Sequence, residues 1–440
     1  VTGERPINAD VPAVGTGGSE GSVAKPAGTE KPSRRRRKPV PVALKAVGGL
    51  FALAVVFIVA AVLGGGGGAG ESATTTPAPV SSRPQPEAPP SSQPASELGY
   101  PEFATANTTR VGGADPASTA AAVALATYPS TQPAQRPAAV TLVDAADWQG
   151  AIAASVLMAP PIGAPVLVSE AGGLPAATAQ ALDALDPQGS ENTKGAQAFV
   201  LGVAAAPEDM EATRIGGSGA AVPAAVAKLR DELFGSPPGH VVVAPAADPA
   251  FAMPAAAWAA RSGDPVLFSG RDRLPAATAA ALKRHPHTPV YVLGPSSAIS
   301  SGVVREIAKI AGKVGRVSGE DPVSNAVELA RYADDGFGWD VNDPGHGFVV
   351  ANAAQPLDAA AAAALSASGT WGPLLLTDSA ATLPAALRSY LLDVKPGYTT
   401  DPTRAFYNHV WVIGDEEAIN VSEQAEIDEV AELAKIGGER

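Results

Sequence analysis

Three arginines open near-identical tetrapeptides along the chain: Arg110-Val111-Gly112-Gly113, Arg214-Ile215-Gly216-Gly217 and Arg316-Val317-Ser318-Gly319. A guanidinium offers its N–H donors in a planar fork that matches the oxygens of phosphate and carboxylate groups. Arg110, Arg214 and Arg316 are therefore candidate contacts for an anionic ligand. One arginine per copy equally suits a tie between each subdomain and a neighbour's carboxylate. Three glycines, Gly202, Gly294 and Gly414, end short apolar runs. Ligands of open α/β sheets bind outside such strand ends, although a tight turn also asks for glycine there.

Other constellations lead to weaker chemistry. Asp334, Asp335, Asp340, Asp343 and His346 crowd one glycine-rich loop. Oxygen-rich loops can hold calcium, but the spacing departs from the twelve-residue calcium loop, and a solvated loop is the plainer reading. His285 and His287 flank Pro286 without an acidic neighbour in sequence, which reads as a surface turn. His240 and His409 each open a strand. The chain has no Cys, which removes disulfides, cysteine nucleophiles and cysteine metal sites. Nucleophile elbows, zinc-protease motifs and phosphate loops are missing, and Gly216-Gly217-Ser218-Gly219 lacks dinucleotide spacing. The sequence thus assigns no catalytic residue, metal or cofactor.

The elements that carry these residues recur in a fixed order. Leu174-Pro175-Ala176-Ala177 returns as Leu274-Pro275-Ala276-Ala277 and as Leu383-Pro384-Ala385-Ala386. Before each stands an apolar run (PVLVS at 165–169, PVLFS at 265–269, PLLLT at 373–377). After each comes a strand ending in glycine (FVLG at 199–202, YVLG at 291–294, WVIG at 411–414). Four elements in one order, three times, at a period of about 100 residues define a threefold internal repeat. Residues 435–438 even resemble the opening of a fourth. Short uninterrupted apolar runs fit strands of a parallel sheet covered on both faces. Ala-rich segments at 119–128, 224–234 and 324–332 read as the intervening helices, and the Leu-Pro element reads as a helix start. Strand–helix–strand alternation predicts three tandem α/β subdomains with mainly parallel sheets.

Charge and hydropathy organise the rest. The formal net charge is −13, from 31 Lys+Arg and 44 Asp+Glu, which argues against nucleic acid as a partner. Residues 1–45 depart from that balance with nine Lys/Arg against four Asp/Glu, five of them in the run Arg34 to Lys38. An uncharged apolar stretch follows at 46–63, roughly 27 Å long as a helix and close to a bilayer's hydrocarbon thickness. A basic cluster ahead of it places the N-terminus inside, and a cleaved leader would need an unusually long basic region. The eight prolines of 71–101 make an extended spacer of about 90 Å. The expected organisation is a disordered basic cytoplasmic tail (1–39), a single transmembrane helix (40–64), a Gly/Pro/Ser-rich linker (65–102) and repeats at 103–212, 213–314 and 315–440.

The arginine opening, the buried Pro-Val-Leu strand, the Leu-Pro helix and the strand ending in glycine together resemble the cell wall-binding repeat 2 family. The resemblance spans most of 107–438. It implies three α/β subdomains around a pseudo-threefold axis and noncovalent attachment to the envelope of a Gram-positive bacterium through anionic wall polymers. The family's Asp-Arg-Tyr-x-Thr-Ala continuation survives in part, as Asp115 with Thr119 and as Asp321 with Asn325, and is lost after Arg214. Its Asp-Ala-Leu helix start survives as Asp358-Ala359-Ala360, against Gly150 and Phe251 in the other copies. Asp115, Asp321 and Asp358 therefore join the three arginines as the ligand-binding residues that the resemblance implies. The expected function is a membrane-anchored, wall-facing binding or structural protein. The competing expectation is an extracytoplasmic scaffold or sensor whose degenerate repeats bind envelope proteins.

Overall fold

The uninterrupted apolar runs form the strands of three four-stranded sheets, all parallel, in a computed structural model that describes residues 104–367 and 371–437. The expected cytoplasmic tail (1–39), transmembrane helix (40–64) and linker (65–102) lie outside the described residues. Among the described residues no helix is long and apolar enough to cross a membrane.

The described chain enters on β1 (Thr108–Val111) and α1 (Pro116–Thr127). A first sheet follows, from β2 (Val140–Asp144), β3 (Val166–Ser169), β4 (Ala198–Leu201) and β5 (Ala212–Ile215), with α2 (Trp148–Ala154) and α3 (Ala176–Leu185) as crossovers. Helix α4 (Ala221–Phe234) leads to β6 (Val241–Pro245), α5 (Pro249–Ala252), α6 (Pro254–Ser262), β7 (Val266–Ser269), α7 (Ala276–Arg284), β8 (Val290–Leu293), α8 (Ser301–Ile307) and β9 (Val314–Val317). The last part holds α9 (Pro322–Arg331), β10 (Gly347–Asn352), α10 (Pro356–Ser366), β11 (Trp371–Thr377), α11 (Ala385–Asp393), β12 (Gly397–Tyr398), β13 (His409–Ile413), α12 (Val421–Ala431) and β14 (Ala434–Lys435).

Strand orders are β3-β2-β4-β5, β7-β6-β8-β9 and β11-β10-β13-β1. The third sheet therefore closes on the first strand of the described chain, with Arg110 opposite Val412 in register. Each arginine strand completes the sheet of the preceding copy, so the sheets straddle the sequence repeats. Asn107 and Thr105 reinforce the closure by bonding the Asp428 carboxylate of α12. Residues 434–435 pair with β12 instead of opening another large sheet.

Local chemistry explains the element boundaries. Asp115, Asp147, Asp248 and Asp321 cap helices by accepting backbone N–H bonds at α1, α2, α5 and α9. Pro175, Pro275 and Pro384 occupy the position just before their helices, where a missing N–H costs nothing. Gly202, Gly294 and Gly414 all take the left-handed conformation after their strands, the tight turn that glycine permits. The middle of the fold is built from alanine. Helix α10 buries Ala359 to Ala364 against α6, α2 and α1, and Ser155 reaches across to the Ala360 carbonyl at 3.3 Å. Side chains this small let the helix backbones approach closely and fill space without voids.

Candidate functional sites at the carboxyl ends of the sheets

Every sheet reverses direction between its first and third strands, at β2/β4, β6/β8 and β10/β13. Crevices open outside the carboxyl ends of strands at such reversals. The candidate residues converge there, in three different chemical versions.

Arg110 is buried, 5% exposed, at the edge of the third crevice. Its Nη1 donates to the carbonyls of Gly414 (2.9 Å) and Asp415 (2.7 Å), and its Nη2 to Ile419 (2.6 Å) and to Gln424 Oε1 (2.8 Å). Nε also reaches Gln424 Oε1, at 3.1 Å. These bonds engage all five N–H groups and lock the loop after β13. Arg316 does the same job more lightly, donating to the Gly294 and Ile299 carbonyls. Arg214 makes a single long bond, 3.4 Å, to the Ala204 carbonyl and is exposed. The three arginines thus tie the loops that border the crevices through backbone carbonyls, and Arg110 adds the Gln424 amide oxygen.

The difference among them has a cause in chain length. Arg214 lies 12 positions after Gly202, whereas Arg316 lies 22 positions after Gly294. The longer connection carries helix α8, and its counterpart in the third sheet carries α12, but the shorter one is a loop without a helix. Arg214 consequently lacks the cover and the carbonyls that the other two enjoy.

Asp358 stands at the third crevice, 5% exposed, on the first turn of α10. Its Oδ1 is buried and finds no hydrogen-bond partner among the described residues. Burial pushes its carboxyl up to about 7, with the charges of Asp415 and then Asp115 adding to the effect and Thr119 opposing it. Asp115, Asp358 and the Arg110 tie are therefore brought together at one place. Asp321 instead serves the second crevice, accepting from Ser324 N (2.8 Å) and Ser324 Oγ (2.7 Å). Thr119 and Asn325 are interchangeable for a plain reason: each accepts the N–H of the motif glycine, Gly113 or Gly319. In the second crevice Phe251 fills the place of Asp358, and a side chain built at Gly294 would meet its ring at 3.4 Å. In the first, the equivalent residue is Gly150, whose N–H donates to Asp147 Oδ1 at 2.9 Å.

Two features escaped the motif reading. Glu423, on the first turn of α12, is fully buried, and neither carboxylate oxygen has a partner among the described residues. The nearby Thr377 hydroxyl donates to the Ser379 carbonyl instead. Burial raises the Glu423 carboxyl to about 7; Thr377 counters this, and Glu426 and Asp378 add to it. A second feature is an open groove of about 710 Å³ between α7 and α8, lined by Lys283, Arg305, Lys309 and Glu306. All four are exposed, and none is paired with another charged group among the described residues. The spacing of Arg305 and Lys309, one helical turn apart, was the available signal.

The acidic loop is held by protein groups. Asp334 accepts from Lys313 at 2.6 Å, and Tyr291 and Tyr332 also donate to its carboxylate, while Phe337 stacks on Tyr291 at 3.8 Å. Asp343 meets His346, and Asp340 meets Asn342. Among the described residues no cluster of three or more acidic or histidine side chains is arranged to hold a metal ion. His285 bonds Asp231 of α4 at 2.8 Å, a partner distant in sequence.

The model of Cell wall binding domain 2 (CWB2) matches residues 316–424, the stretch from β9 into α12, and bears out the resemblance drawn from the motifs. No curated protein matches the chain by sequence. Among solved structures, the fold is similar to Cwp6 from Clostridium difficile, with a TM-score of 0.59 and 20% identity over 74% of this chain and 47% of that one. Cwp8 from Clostridium difficile gives a TM-score of 0.57 and 18% identity, over 74% of this chain and 52% of that one. The chain thus spans about half the length of each, and the likeness is one of fold.

Proposed function

We propose that the chain is a non-enzymatic cell-wall-binding protein that holds an anionic wall polymer noncovalently. The observation that carries this reading is the basic groove between α7 and α8. Lys283, Arg305 and Lys309 face one carboxylate, Glu306, in a chain whose overall charge is negative. Unpaired exposed cations around a groove suit a phosphate- or carboxylate-bearing polymer, as point charges and as forked donors. Arg110, Arg214 and Arg316, with the caps Asp115 and Asp321, then act one step back, by fixing the loops beside the crevices. The family match over 316–424 supports the wall as the target. Three sheets of one topology, with their first crossover helices meeting in the middle, support the pseudo-threefold arrangement.

The test is co-sedimentation of the full chain, kept soluble in mild detergent, with purified Gram-positive cell walls. Each charge-assisted contact contributes on the order of 1.5–3 kcal/mol, so Lys283→Ala with Arg305→Ala should weaken binding at least tenfold. Binding should also fall as salt is raised, because exposed charges are screened beyond about 8 Å at physiological ionic strength. Wild-type protein that stays in the supernatant would end the wall reading.

We further propose that the stretch 40–64 anchors the chain in the membrane, N-terminus inside, with the repeats facing the wall across the proline-rich linker. Arg34 to Lys38 ahead of an uncharged run support this orientation. Protease added to intact protoplasts should digest the repeats and spare the tail; protected repeats would reverse the orientation. The scaffold reading keeps one specific support, the adjacent side chains of Phe406 and Tyr407, 70% and 55% exposed. A partner captured through that pair would be lost on Phe406→Ser while wall binding persisted.

A further inference from the structure

The first crevice differs from its two counterparts in being open. Its connection after β4 has no helix, and Val203 is left 67% exposed at its mouth. The cleft holds about 360 Å³ and is bordered by Asp144, Asp147, Trp148, Val203, Ser218 and glycine backbone. The second crevice has Phe251 in this space, and the third has the buried Asp358. The charged side chains of the lining are two carboxylates, with no lysine or arginine among them. Asp144 accepts from Ala146 N with Oδ1, and Asp147 accepts from Gly150 N with Oδ1. Neither Oδ2 has a hydrogen-bond partner among the described residues, and that of Asp147 lies against Gly150. Burial holds the Asp147 carboxyl above its usual range, and the charge of Asp144 adds to this. Trp148 is half-buried and braced edge-on by Phe268 at 5.4 Å between ring centres, which fixes its indole.

We propose that this cleft binds a single sugar ring carrying a free amine, a non-acetylated hexosamine unit of a wall glycan. Paired carboxylates accept from an ammonium and from ring hydroxyls, whereas they repel the phosphates that the basic groove attracts. An indole flank and an exposed valine cover the apolar face of such a ring. The volume fits one ring and a part of its neighbour, on the scale of small-molecule sites. The lining residues lie outside the stretch that matches the wall-binding family. The proposal deepens the wall-binding reading and rests on it for where such a glycan is met.

The test is calorimetric titration of the full chain in mild detergent with three probes: a β-1,4-glucosamine tetramer, its fully N-acetylated form and a glycerol phosphate oligomer. The glucosamine tetramer should bind at least tenfold more tightly than the acetylated one, and the phosphate oligomer should not displace it. Asp144→Asn combined with Asp147→Asn should weaken the tetramer at least tenfold while the circular dichroism spectrum stays native. Both substitutions keep the capping oxygen, so the fold is not the variable. Val203→Trp, at an exposed position, should block the cleft and give the same loss. Absence of tetramer binding, equal binding by wild type and the double variant, or displacement by the phosphate oligomer would each overturn the proposal. Wild type that sediments with walls yet ignores the tetramer would sink the cleft and leave the wall reading standing. Tetramer binding without sedimentation would do the reverse.

Discussion

Arg110→Ala should destabilise the repeat region by on the order of 4 kcal/mol, because it strands several buried acceptors at once. Removing the guanidinium leaves the carbonyls of Gly414, Asp415 and Ile419 and the Gln424 amide oxygen without their donor. It also loosens β1 from β13, the joint that closes the third sheet on the first described strand. Arg316→Ala removes two carbonyl ties from a half-buried site and should cost about 1–2 kcal/mol. Arg214→Ala removes one long bond at the surface and should fall within about 0.5 kcal/mol of wild type. Urea unfolding of the three single variants measures the gradient. Equal, small losses at all three positions would return the arginines to the role of ligand contacts, since a tie must show in stability.

That gradient marks where sequence reasoning reached its limit. The tetrapeptides around Arg110, Arg214 and Arg316 are nearly alike, and motif comparison treats them as equivalent. What separates them is nonlocal: whether a helix follows the third strand and folds carbonyls over the guanidinium. The spacing from Gly202 to Arg214, shorter than that from Gly294 to Arg316, held this information in plain view. The strands were more legible, since an uninterrupted run such as VLVS at 166–169 has few ways to satisfy its backbone except inside a covered parallel sheet. Sheet partners were less legible. Nothing local in Thr108–Val111 says that it pairs with His409–Ile413, because the partner is chosen by closure of the whole fold. Divergence at one position separates the three crevices. Gly150, Phe251 and Asp358 occupy equivalent places, and each sets a different crevice: open, plugged or charged.

Asp358→Asn should stabilise the protein, by an amount that grows with pH. The unfolded carboxyl titrates near the ordinary aspartate value of 3.8, while burial in the fold raises it to about 7. Below the lower value the acid is neutral in both states and the substitution changes little. Between the two values the unfolded chain releases a proton that the folded chain keeps, so wild-type stability falls as pH rises. Above about 7 the folded protein carries the full penalty of a buried carboxylate with one oxygen unpartnered, on the order of 4 kcal/mol. Glu423→Gln should show the same slope with a smaller plateau, about 3 kcal/mol, from a rise to about 7. Urea midpoints of wild type and variants at pH 4, 6 and 8 supply the measurement, and the slope of the difference is the readout. A difference that stays flat across this range would show that Asp358 titrates like an exposed acid. The fold does not require the charge, since Gly150 and Phe251 serve at the equivalent places.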